Sequence, residues 1–150
     1  MATTTTPRSV EKPHVQASTR SANWQDPAYQ AFWLLRIGFI VAPILFGLDK
    51  FFHILVDWDI YLAPEFTDLF DVEAHTLMYA VGVIEIVAGI VVAVWPRFGG
   101  YLVAAWLAGI IFNLLLIGDF YDIALRDLGL LIGALALSRL ATAFPSRRPA

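Results

Sequence analysis

Ten side chains in this sequence have the types and spacing to do chemistry: Arg36, Asp49, Lys50, His53, His75, Glu85, Asn113, Asp122, Arg126 and Asp127. All lie in or beside stretches that are otherwise apolar. Asp49 and His53 are four apart and Lys50 and His53 three apart, so each pair shares a helix face. Asp122 and Arg126 are also four apart. In a dry interior, Lys50 or Arg126 could stabilise negative charge developing on a ligand oxygen. His53 or Glu85 could pass a proton. Each group also has a plainer reading. Arg126 with Asp122 or Asp127 makes a structural ion pair. Glu85 is a protonated carboxyl hydrogen-bonded to a neighbouring helix. His53 and His75 are interfacial, Arg36 snorkels to headgroups, and Asn113 joins two helices. No metal site is expected, because no HxxxH or ExxH spacing falls on one helix. Phosphate-cradling glycine loops and nucleophile elbows are also missing.

Four apolar stretches must position these groups, at about 31–56, 75–95, 101–117 and 121–144. Each is near the ~20 residues that cross a bilayer. The fold class expected is an all-α membrane protein, a bundle of four transmembrane helices. The first stretch is overlong and contains Pro43, a cause for a kink. Pro96 stops the second, and Arg97-Phe98-Gly99-Gly100 reads as a tight turn. Gly118-Asp119 turns the chain again. Small residues form stripes: Gly82, Gly89 and Ala93 around Glu85; Gly100, Ala104 and Ala108; Gly129, Gly133 and Ala136 after Arg126. Such stripes let membrane helices pack closely, so Glu85 and Arg126 are expected to point inward. Glu85 lies about 15 Å along its helix from His75, near the bilayer centre.

The connection 57–74 is acidic, with no Lys or Arg. Its segment from Pro64 to Phe70 reads either as a short interfacial helix or as plain loop. Residues 1–28 read as a disordered tail, ending at the belt residues Trp24 and Tyr29, and 145–150 as a short basic tail. Arg8, Lys12, Arg20, Arg97, Arg139, Arg147 and Arg148 fall on one side of this topology. Both termini are therefore expected in the cytoplasm and the acidic loop outside.

Composition bounds the function. The chain is 59% hydrophobic and 15% charged, against ~25% charged in soluble domains. Mean hydropathy is +0.68. Lipid covering the apolar surface resolves that excess. The net charge of −3, without a basic run, excludes a nucleic-acid partner. With no cysteine, the chain's own atoms cannot form disulfides or thiolate metal sites.

Three segments together resemble the DoxX-like family of small four-helix membrane proteins: Leu35-Arg36-Ile37-Gly38 with Gly47-Leu48-Asp49-Lys50-Phe51, Gly82 to Gly89 around Glu85, and Arg126-Asp127 through Gly133. The resemblance covers about residues 31–140. It implies a four-helix bundle in a prokaryotic cytoplasmic membrane and a link to redox metabolism. On that basis the ten residues would line an intramembrane pocket for a quinone or a similar lipid-soluble ligand. Membrane lipids, a redox protein and a second copy of the chain are the partners to expect. Whether the chain is itself catalytic stays open. Two alternatives stand beside this reading: a non-enzymatic scaffold docking through the acidic loop, and a small proton-linked transporter.

Overall fold

The computed structural model describes residues 23–144. The expected tails therefore lie largely outside the described residues. Those described are helical, with no strand among them. Four long helices are α1 (Pro27–Phe52), α3 (Ala74–Val94), α4 (Pro96–Ile117) and α5 (Tyr121–Ala143). A single 3-10 turn (Trp58–Tyr61) and the short helix α2 (Pro64–Phe70) fill the connection after α1.

Helix α1 begins at Pro27, inside the segment expected to be disordered. The cause is local: Asp26 accepts a hydrogen bond from the Ala28 amide at 2.9 Å, and Pro27 at the first helical position has no N–H to satisfy. The helix runs unbroken through Pro43 and stops at His53, whose φ of 52° is left-handed. The Pro64–Phe70 segment forms a helix rather than plain loop.

Helix α4 also starts early. Arg97 to Gly100 form its first turn and not a separate reversal, and Trp95 alone joins α3 to α4. Pro96 is again favoured at the first position. Gly99 permits the sharp angle, since a Cβ there would sit 2.6 Å from Val92 Cα.

Helices α1, α3 and α4 are long and apolar enough to cross a membrane. Helix α5 is long enough at 23 residues, but every 18-residue stretch of it holds at least three of Asp122, Arg126, Asp127 and Arg139. Helix α1 packs chiefly on α3, and α4 on α5, with lesser contacts closing the ring. The core runs through Phe39, Ala88, Val92, Leu107, Ala134 and Leu137. Outward faces carry Leu34, Leu45, Val87, Ile90, Phe112 and Ile132, an apolar surface suited to lipid. Phe32 and Tyr29 near the start of α1 meet Phe144 after α5, with ring centroids 5.7 and 5.2 Å apart. The two described ends thus share one end of the bundle.

Helices α1 and α3 cross very closely. A Cβ on Gly47 would lie 2.6 Å from the Gly82 carbonyl oxygen, and one on Gly82 would lie 2.8 Å from that of Gly47. Neither position accepts a side chain without separating the helices. The crossing lies one turn from Lys50 and from Glu85 and sets their approach.

Candidate functional site

The centre is an ion pair. Lys50 Nζ donates to Glu85 Oε2 at 2.7 Å, and both side chains are more than nine-tenths buried. The Lys50 ammonium also sits 3.8 Å from the centre of the Trp58 ring, a cation–π contact. Trp58 is held there by Asp49, whose Oδ2 accepts from the indole Nε1 at 2.7 Å. Asp49 Oδ1 accepts from the Ile54 and Leu55 amides at 3.1 Å each. One buried carboxylate thus shapes the reversal after α1 and lays an aromatic cover over the lysine.

Two further helices reach this centre. Asp127 on α5 is buried and close enough to Glu85 for their charges to interact. Trp106 on α4 brings its indole to the Glu85 carboxyl, but the contact falls short of hydrogen-bond geometry. Its Nε1 is buried without a hydrogen-bond partner among the described residues.

Asn113 works on the loop rather than between helices. Its Oδ1 accepts from the Ala63 amide at 2.8 Å, and its Nδ2 donates to the Tyr61 carbonyl. It fastens the segment bearing Trp58 onto α4. Replacing Asn113 by alanine should leave both backbone groups unpaired, at about 1–3 kcal/mol each. Thermal unfolding of the detergent-solubilised protein should show a lower midpoint, and Asn113→Asp, which keeps the acceptor, should lie between.

His53 and His75 stack, ring centroids 5.0 Å apart and planes 17° apart. His75 Nδ1 is 3.1 Å from Asp59 Oδ2, and its Nε2 is 2.7 Å from the Tyr79 hydroxyl.

Seven of the ten expected residues therefore gather at one end of the bundle: Asp49, Lys50, His53, His75, Glu85, Asn113 and Asp127. Three do not. Arg36 is at the other end, donating Nη2–H to the Ala93 carbonyl at 2.6 Å in the last turn of α3, with its guanidinium 4.9 Å from the Trp33 ring centre. A cation there suits the negative end of the helix dipole. Asp122 is exposed in the first turn of α5. Arg126, expected to face inward with Gly129, Gly133 and Ala136, is 62% exposed and turns Nε to Asp127 at 3.0 Å. The buried stripe of α5 is instead Ala124, Asp127, Ala134, Leu137, Ser138 and Ala141, one position out of phase. Asp127 takes the inner place because it is the shorter side chain and Arg126 can reach it from outside. The α3 stripe of Gly82, Glu85 and Gly89 is buried as read.

Four participants escaped the sequence reading: Trp58, Asp59, Tyr79 and Trp106. Tyr79 alone carried a signal, being four residues from His75 and so on the same face. An open depression of about 430 Å³ lies by Thr67, Asp68, Asp71, Val72 and Glu73, away from the ion pair. Comparison with protein-family models, curated proteins and solved structures finds no match for this chain.

Proposed function

We propose that this chain is a multi-pass integral membrane protein of the DoxX-like type, a redox-associated subunit that holds a quinone or similar lipid-soluble ligand at the Lys50–Glu85 centre. In this reading all four long helices span a prokaryotic cytoplasmic membrane with both termini inside. The arginines at 97 and 139 and in the tails favour that orientation, as does the meeting of the two described ends. Residues Asp122, Arg126 and Asp127 then enter at the outer end of α5, where charge is least costly.

One observation carries the ligand reading. A buried ammonium and a buried carboxyl lie beside an indole N–H that approaches the carboxyl without completing a hydrogen bond to it. Buried donors are normally satisfied, so an orphan of this kind calls for an explanation. A quinone carbonyl would accept from Trp106 Nε1, and Lys50 would offset negative charge on the reduced oxygen. The proton that the pair holds, on the Lys50 ammonium, would become one of the two that accompany two electrons in forming a quinol, Glu85 relaying its replacement and water supplying the second. The electrons would come from a partner redox protein. Trp106 is half-buried, so the ligand would approach along α4 from the lipid side.

Quinone titration of the solubilised protein, followed by tryptophan fluorescence, should saturate. Trp106→Phe should weaken binding by about 10-fold, the equivalent of one hydrogen bond to a polar ligand. A flat titration, together with Lys50→Ala and Glu85→Gln cells behaving as wild type, would sink the proposal. A scaffold reading draws on a different observation: Glu65, Asp68, Asp71 and Glu73 are exposed on a segment anchored by Asn113. It expects a stable partner lost on neutralising those four carboxylates and kept in Lys50 variants.

A further inference from the structure

We propose that His53, Asp59 and His75 form a binding site for a divalent transition-metal ion, with Zn2+ the best match to their ligand atoms. The proposal is independent of the quinone reading. The three residues come from the cap of α1, the 3-10 turn and the first turn of α3, and one ligand atom from each lies within 4.8 Å of the others.

Two atoms of the cluster are buried without a hydrogen-bond partner among the described residues: His53 Nε2 and Asp59 Oδ1. Each offers a lone pair to a cation, His53 Nε2 in the tautomer that carries its proton on Nδ1. His75 adds a third donor. If its Nε2–H is donated to the Tyr79 oxygen, its Nδ1 lone pair faces Asp59 Oδ2 across 3.1 Å. In that tautomer a cation between the two atoms would be held by both. Fixing the second ring nitrogen by an outer hydrogen bond is how metal-bound histidines are usually oriented.

Two imidazoles and one carboxylate suit Zn2+ better than Mg2+ or Ca2+, which prefer oxygen alone. Tetrahedral Zn2+ would need its ligand atoms ~3.4 Å apart. The His75 and Asp59 side chains are 47% and 31% exposed and have room to close that far. Three protein ligands leave the fourth position to water or to an incoming anion.

Untagged full-length protein in detergent, stripped with chelator, should bind one Co2+ per chain with visible d–d absorption, and Zn2+ should displace it. His53→Ala and His75→Ala should each abolish the absorption. Tyr79→Phe should weaken binding by ~10-fold, as outer-shell losses do. His14→Ala and Asp57→Asn should change nothing. The proposal is overturned if wild-type protein gives no saturable Co2+ spectrum, a result that needs no variant to fold. It is equally overturned if the spectrum persists in both histidine variants.

Discussion

Lys50→Ala is expected to destabilise the solubilised protein by about 3–5 kcal/mol, because it strands the Glu85 carboxylate in an interior where its partner supplied the compensating charge. Glu85→Ala should cost a similar amount by stranding the ammonium. The double variant Lys50→Met with Glu85→Leu should recover most of the loss, since a buried pair replaced by apolar groups of similar volume is often neutral or better. Denaturant unfolding followed by circular dichroism checks all three. The cycle separates two roles that a single substitution confounds. If the double variant is stable yet no longer binds quinone, the charges are there for the ligand. If it is stable and the cells are unaffected, the pair serves the fold alone. Should Lys50→Ala prove as stable as wild type, the pair is not buried in solution as it is in the structure.

The same centre shows how far residue types carry a reading and where folding has to be seen. Glu85 and its flanking glycines could be placed inward because Gly82, Glu85 and Gly89 share one face and no rival face of α3 is small or polar. Helix α5 offers no such contrast. Arg126 and Asp127 are neighbours 100° apart around the helix, and small residues follow both. The choice between them depends on what α3 already presents. Glu85 is satisfied by Lys50 from α1, so α5 contributes the shorter acid and leaves its arginine outside.

Two boundaries differ from the sequence reading, in which Pro96 is a stop and Pro27 falls in the tail. Pro27 and Pro96 open helices, because a missing N–H costs nothing in a first turn. The convergence of Trp58 and Asp59 on Lys50 and His75 was not legible. It follows from the reversal at His53, and that reversal is fixed by Asp49 accepting amides five and six residues downstream. Nothing in the spacing of those residues distinguishes that carboxylate from a ligand-facing one.

The close crossing of α1 and α3 gives the second large effect. Gly82→Val should pry α1 from α3, since even its first carbon would meet the Gly47 carbonyl at 2.8 Å and the Lys50 Cβ at 3.2 Å. Overpacking of this kind costs about 1–3 kcal/mol where side chains can yield. Here the obstacle is partly backbone, so the upper end of that range is expected, with Gly47→Val behaving alike. The harm should reach the centre as well as the fold. Lys50 is one turn from Gly47 and Glu85 one turn from Gly82, so separating the helices lengthens their 2.7 Å contact. Gly38 on the same helix is the control, because a Cβ there meets nothing within 4 Å among the described residues. Gly38→Ala should be neutral or stabilising by up to about 1 kcal/mol, through helix propensity alone. A Gly82→Val protein with an unchanged unfolding midpoint would mean that α1 and α3 do not cross at these glycines. Lys50 and Glu85 would then lose the geometry that brings them together.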